Sequence, residues 1–456
     1  MKKALLLLIP SMLVALIGCD KTPEPSTPDE PDPVEPEPEP FDYAPIDQEL
    51  LGCYNYFLHT TNYNPDSPGF GLARDRLTNS NLSSIAATGF LLASYPVFVE
   101  QNYMTLEKAT LCADKTLDTV LRIQADEETS YKGCLSHFVN SSTGKRSGTS
   151  EISTIDTALL VSGAITAGEY FKGDVQTKAN TLWSNVDFNQ FVVKSGAGKS
   201  CISMGVKAPN NPQQLGPWDY YAEQLMIYIL GAGNPNENHR ISSLFYKNIT
   251  KNVGTYAGTS HIYSWFGSIF TYQFSQAFFN FKKYNDDKGR NWFENSVNAS
   301  KTARQFCIDN KDKYKTYSEN SWGLTACDVP TGYSGLLGAS PRGYQDNSAE
   351  YQGIAGTIAP TGALGSMPFT PNESYAALKY YQSLPGLNDE SFGLRDSFNL
   401  DFYGNEWYCS DFIGIDKGIE VLQLYNFKNT DFVSNLAMNN PNVILGFTNN
   451  GFVEVQ

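Results

Sequence analysis

From Phe41 to Gln456 the chain keeps returning to helical periodicity, and no linker interrupts it. Apolar residues recur at three- and four-residue spacing over 46–63, 83–100, 105–126, 150–171, 174–188, 218–231, 271–284, 291–309, 371–382 and 418–427, which predicts a helix over each. Alternating, strand-like runs are short and few. Long loops rich in glycine and aromatics, such as 324–365, separate the helices, and loops of that kind carry function when a rigid scaffold holds them. No internal repeat marks a helical solenoid. Ten or more helices in one long body, with long loops gathered somewhere, predict an all-α toroid of paired helices rather than a bundle.

The segment 150–171 is the sharpest part of that pattern. It stays apolar on nearly every side through Val161, Ala164, Ile165 and Ala167, and a helix apolar all round is a buried one. Asp156 nevertheless sits inside it. Burying an unpaired carboxylate costs several kcal/mol, roughly, or forces its pKa upward. Such an acid is either tied into a structural network or points into a cleft and does chemistry. Glu223, in Trp218-Asp219-Tyr220-Tyr221-Ala222-Glu223, is placed in the same way at the mouth of the apolar run 225–230. A carboxyl beside Trp218 and Tyr221 would hold its proton by desolvation, as a general acid requires near neutral pH. Asp396 and Asp416 lie in turns flanked by glycine; either could act in the cleft, or Asp396 could pair with Arg395 and Asp416 cap the helix after Gly418.

Other chemistries have little to stand on. The seven cysteines after Cys19 form no C-x-x-C pair, and the four histidines show no ligand spacing, so neither a metal site nor a cofactor is expected. Most of those cysteines read as small buried apolar residues. No Gly-x-Ser-x-Gly elbow, P-loop or dinucleotide fingerprint occurs. The net charge of −15, without a basic run, argues against a nucleic-acid partner. Aromatics make up 13% of the chain, and aromatic faces beside carboxylates suit sugar rings. Paired carboxylates remain, and they suit hydrolysis of glycosidic bonds.

The beginning of the chain predicts an address. Lys2 and Lys3 precede an apolar run from Ala4 to Ile17, which ends in Leu16-Ile17-Gly18-Cys19. That pattern reads as a signal peptide over 1–18 and resembles a bacterial lipobox, with lipidation at Cys19. Residues 19–40 follow as a tether: between Pro23 and Pro40 there are eight prolines and seven acids in 18 residues. Proline beside like charge favours an extended chain of ~3.1 Å per residue, long enough to hold a domain roughly 50 Å from a membrane. The expected location is the cell envelope, with the lipid on Cys19 as membrane anchor.

Eight blocks in order carry a family resemblance across about residues 50–455. They are "SSIAATGFLLASYP", "SEISTIDTALLVSGAITAGEYF", "WDYYAEQLMIYILG", "FENSVNASKTARQFCIDN", "WGLTACDVPTGY", "GTIAPTGALGSMPFTPNES", "FGLRDSFN" and "FIGIDKGIEVLQLYN". The chain resembles the bacterial glucoamylase-like domain, which includes the endo-β-1,2-glucanases of glycoside hydrolase family 144. The resemblance implies an (α/α)6 toroid over 41–456 with a cleft at one end, and inverting hydrolysis of β-1,2-glucan; a monomer is expected. It implies Glu223 as general acid, Asp156 beside it, and Asp396 or Asp416 as base. Glu151, Trp218, Asp219, Tyr221 and Trp322 would bind substrate. Gln276, Asn280, Asn140, Tyr220 and Val206 depart from the family pattern and remove cleft-type groups. A second reading, a glycan-binding lipoprotein that captures sugar for uptake, would explain those departures.

Overall fold

The computed structural model describes residues 41–342 and 354–455; the expectations for the leader, Cys19 and the tether fall outside them. Among the described residues the helices alternate between two kinds of burial. Helices α1 (Ala44–Thr60), α3 (Leu106–Gln124), α5 (Gly173–Ser184), α7 (Leu244–Asn248), α9 (Trp292–Asp309) and α11 (Pro371–Gln382) each leave a face in water. Helices α2 (Ile85–Glu100), α4 (Thr154–Phe171), α6 (Leu225–Ala232), α8 (Phe274–Phe278), α10 (Pro360–Leu364) and α12 (Gly414–Lys428) are buried on nearly every side. Odd helices are therefore the outer wall and even helices the inner one, which is the arrangement that buries an all-apolar helix.

The ring closes by packing. Helix α2 lies against α4, α4 against α6, α10 against α12, and α12 returns to α2 and α1. Helices α13 (Phe432–Met438) and α14 (Pro441–Asn449) complete the chain against α4, α6 and α8. The α2–α4 crossing is the tightest: a Cβ on Gly163 would fall 1.8 Å from the Gly89 carbonyl oxygen. Six outer–inner pairs make the fold an (α/α)6 toroid.

Several boundaries differ from the periodicity, for physical reasons. Ile152–Ser153 is a strand paired with Gly205–Val206, and α4 starts only at Thr154, where the Ser153 hydroxyl caps the Asp156 N–H (3.2 Å). Residues 218–224 are not helical, because Tyr220 bridges Thr250 and the Asp219 carbonyl accepts the Thr250 N–H (2.6 Å). The predicted helix over 271–284 shrinks to a 3-10 turn, Ile269–Tyr272, and the short α8. Small two- and three-stranded ribbons line the connections, more than the sequence pattern suggests. All seven cysteines of the described residues are buried free thiols.

Candidate active site

Successive helices of the toroid run up and down, so the inner helices all begin at one end of the ring. That end collects the acids. Glu223 lies two residues before α6, Glu151 and Asp156 flank the start of α4, and Asp416 lies in the first turn of α12. Helix N-termini carry partial positive charge and favour carboxylates nearby.

Glu223 is fixed by its neighbours on three elements. Its carbonyl accepts the Ser275 hydroxyl from α8 (2.6 Å), and that same hydroxyl takes the Met226 N–H (3.1 Å). The Gln224 side chain folds back to Tyr220 O (2.6 Å) and the Ala222 N–H (2.8 Å), holding the turn. Trp218 Nε1 reaches Thr154 Oγ1 (3.2 Å), tying the segment to the start of α4. The carboxyl is aimed into a cavity of about 470 Å³ walled by Trp218, Tyr220, Trp265, Phe266 and Phe270, with Asp219 and Thr271 as polar members. Its Oε2 is buried without a hydrogen-bond partner. Burial, and then the charge of Asp156, push its pKa up to about 8, with His137 opposing. At neutral pH it holds its proton.

A second carboxylate group stands beside it. His137 stacks on Phe138 (3.7 Å), places Nδ1 2.9 Å from Glu151 Oε1 and Nε2 3.5 Å from Asp156 Oδ1. The ring is set by strand pairing: Phe138–Asn140 pairs with Leu82–Ser84, and the His137 N–H donates to the Glu151 carbonyl (2.9 Å). Burial works against the charge of His137, but Asp156, then Glu151 and Asp75, lift its pKa to about 9. Glu151 is held below the ordinary range, chiefly by its hydrogen bond to His137. Sequence reasoning missed His137, because its partners lie 14 and 19 residues downstream and no local spacing announces them.

Asp396 and Asp416 come together as a buried pair. Asp396 Oδ2 accepts the Asp328 N–H (2.7 Å) and the Ser397 hydroxyl (3.1 Å), while its Oδ1 is buried with no hydrogen-bond partner. Burial raises both members, and each carboxyl bears on the other. Burial pushes Asp396 up to about 6, and burial together with the charge of Asp396 raises Asp416 well above the ordinary aspartate range. Asp416 is a first-turn residue of α12 and caps nothing, because that helix begins at Gly414. Asp75 links the two groups: it feels His137 and Asp156, and it acts on Tyr333 together with Asp416 and Asp396. Arg76 binds Asp328 (3.0 Å), Asp75 (3.3 Å) and Asp411 (3.5 Å) and so fixes this acidic strip.

The aromatic candidates divide. Trp218 and Asp219 line the cavity. Trp322 does not serve as a sugar platform: it is 0% exposed, and its main chain is held at both N–H and C=O by the Tyr381 hydroxyl (2.9 and 2.5 Å). Tyr221 is also buried, stacked on Trp292 at 4.5 Å, and only borders the cavity. The exposed faces are instead Trp265 (44%) and Phe266 (40%), which the sequence did not single out. Two clusters could supply ligand atoms to a metal, Glu49–Cys53–Glu420 and Asp328–Asp396–Cys409. An organic cation already serves each: Lys417 sits on Glu49 and Glu420, and Arg76 on Asp328.

Residues 216–441 match the Glycoamylase family model. A curated relative from Parabacteroides distasonis, an exo-β-1,2-glucooligosaccharide sophorohydrolase acting at the non-reducing end, is 26% identical over 451 residues. The match takes in 89% of this chain but only 58% of that relative, so the chain spans little more than half its length. An endo-β-1,2-glucanase from Chitinophaga pinensis, solved with sophorotriose and glucose, superposes with a TM-score of 0.76 at 23% identity, covering 90% of this chain and 98% of that one. A β-1,2-glucanase from Parabacteroides distasonis superposes with a TM-score of 0.73 at 24% identity, covering 89% and 60%. At such identities the superpositions establish the (α/α)6 fold. Residues 216–441 are a glucoamylase-like domain.

Proposed function

We propose that the protein is a glycoside hydrolase that cleaves β-1,2-linked glucan with inversion, using Glu223 as general acid. The observation that carries this is the Glu223 carboxyl: buried, unpartnered at Oε2, protonated up to about pH 8, and facing an aromatic-walled cavity. The acid gives its proton to the glycosidic oxygen as the bond to the anomeric carbon breaks. Water attacks that carbon and loses a proton to the Asp396–Asp416 pair, directly or through a sugar hydroxyl. Asp396 is the base. Asp156, oriented by His137 and Glu151, positions sugar or water beside the acid. The leaving sugar stacks on Trp265 and Phe266. The β-1,2 linkage is favoured by the activities of the relatives, a sophorohydrolase and two glucanases.

We place the enzyme on the bacterial cell envelope as a monomer, anchored through lipid on Cys19; the support is the charged start, the apolar run and Leu16-Ile17-Gly18-Cys19. Among the described residues no helix is long and apolar enough to cross a membrane. Loss of labelled fatty acid from Cys19→Ser cells, with the wild type labelled, is the expected result.

The activity is tested by incubating the protein with β-1,2-, β-1,3-, β-1,6- and α-linked glucans and analysing released oligosaccharides. Release from β-1,2-glucan alone, reduced on the order of 10²–10⁴-fold in Glu223→Gln, is expected. No release from any glucan sinks the hydrolase; release untouched by Glu223→Gln sinks the acid.

A further inference from the structure

Residues 73–76 form a short bridged segment whose neighbouring side chains meet different surroundings. Ala73 bridges Thr61, Arg74 bridges Ser83 and Arg76 bridges Ile413, with a bend at Asp75. Asp75 meets His137 and Asp156 in the acidic cleft. Arg74 lines a separate cavity of about 520 Å³, within the roughly 300–1,000 Å³ typical of ligand pockets. This cavity lies where α1 ends, with Thr61, Asn62 and Tyr63 on one wall and Ser141, Ser142 and Thr143 on another. Its lining is mostly hydroxyls and amides, in contrast to the aromatic wall around Glu223.

Two groups in it are unaccounted for by the fold. Arg74 is half-buried, yet among the described residues no carboxylate lies within ion-pair distance of its guanidinium and no acceptor takes its hydrogens. Thr61 is 8% exposed, and its Oγ1 is buried with no partner. Two neighbouring polar groups are already committed. Asn62 Nδ2 donates to Ser67 Oγ (2.7 Å) and Ser141 O (2.8 Å), and Thr60 Oγ1 donates to Tyr56 O (2.8 Å). A cation near a helix C-terminus can complement the helix dipole. Here, however, the end of α1 is satisfied by main-chain groups: Thr61 N–H on Phe57 O (3.0 Å) and the main-chain N–H of Arg74 on Thr60 O (3.3 Å). A planar guanidinium with all its donors free matches an oxyanion.

We propose that this second cavity binds a sugar carrying an oxyanion, a phosphate or a carboxylate, with the anion on Arg74 and a ligand oxygen on the Thr61 hydroxyl. The volume and the hydroxyl lining fit a sugar ring as well as the anion; a bare anion would fill little of it. The site is separate from the Glu223 cavity and stands whether or not β-1,2-glucan is the substrate.

Titration calorimetry on the full chain at low salt tests this with glucose 6-phosphate, glucuronate, glucose and inorganic phosphate. Glucose 6-phosphate, glucuronate or both are expected to bind saturably, at least about 10-fold more tightly than glucose or inorganic phosphate. The one that binds tells phosphate from carboxylate. Arg74→Met should weaken that binding by about 10-fold or more, and the near-isosteric Thr61→Val by a few fold, with melting temperatures near wild type. Glu223→Gln, which alters the other cavity, should leave it unchanged. Absence of binding by both anionic sugars, equal affinity for glucose or for inorganic phosphate, or binding indifferent to both Arg74→Met and Thr61→Val overturns the proposal.

Discussion

Glu223 and the Asp396–Asp416 pair set opposite edges of a pH window. The acid must be protonated, so turnover falls as pH rises through about 8; the base must be ionised, so turnover falls as pH drops below about 6. A bell with its maximum between those limits is the expected profile of kcat/KM. The limbs can be moved separately. Asp156 raises Glu223, so Asp156→Asn should carry the alkaline limb to lower pH, besides slowing the reaction. His137 lowers Glu223, so His137→Gln should carry it upward. Limbs that stay in place in both variants would remove Glu223 as the titrating acid. The same shift has a consequence for stability. Between the ordinary glutamate range and pH 8 the folded state binds a proton that the unfolded state has lost, so stability falls as pH rises through that interval. Glu223→Gln relieves this, and its gain in melting temperature should be larger at pH 8 than at pH 5.

Single helices were legible where their burial was extreme. The all-apolar stretch 150–171 announced an inner helix, and Asp156 within it announced the cleft. The sequence could not reveal that Glu151 and His137 face each other, because that contact depends on Phe138–Asn140 pairing with Leu82–Ser84 and Ser136 bridging Ile152. Likewise 218–223 has helical periodicity, but pairing of Tyr220 with Thr250 holds it extended, and this leaves Glu223 on a turn rather than a helix. Trp322 looked like a platform because tryptophan beside glycine in a loop is locally indistinguishable from one; only its position under Tyr381 buries it. The inner wall also explains two glycines. Gly89 and Gly163 let α2 and α4 touch backbone to backbone, since a Cβ at Gly163 would sit 1.8 Å from Gly89 O. That contact has no flexible side chain to give way. Gly163→Ala should therefore cost about 3 kcal/mol or more in urea unfolding, above the usual range for an added methyl. A loss below about 1 kcal/mol would mean that the two helices can slide apart.

Ring closure joins the first outer helix to the last inner one, and the joint is ionic. Lys417 in α12 is buried between Glu49 of α1 (2.7 Å) and Glu420 (2.9 Å), with the Cys53 thiol donating to Glu420 (3.4 Å). Glu49 also receives the Leu394 N–H on both oxygens (3.1 and 3.2 Å), two residues before Asp396, while Lys417 directly follows Asp416. One carboxylate thus holds the two strands of chain that carry the acid pair. Lone buried charges are far costlier than paired ones, so removing one partner is worse than removing the set. Lys417→Met leaves Glu49 and Glu420 facing each other uncompensated and should lose about 3–5 kcal/mol of stability. Glu49→Leu, Lys417→Met and Glu420→Leu together exchange the cluster for apolar volume and should recover most of that loss. The triple variant also frees the Leu394 N–H from its acceptor, so its activity should stay depressed even where its fold is restored. Urea midpoints and kcat on the same samples separate the two effects. Full recovery of kcat along with stability would reduce the cluster to a staple of the ring with no hold on Asp396 and Asp416.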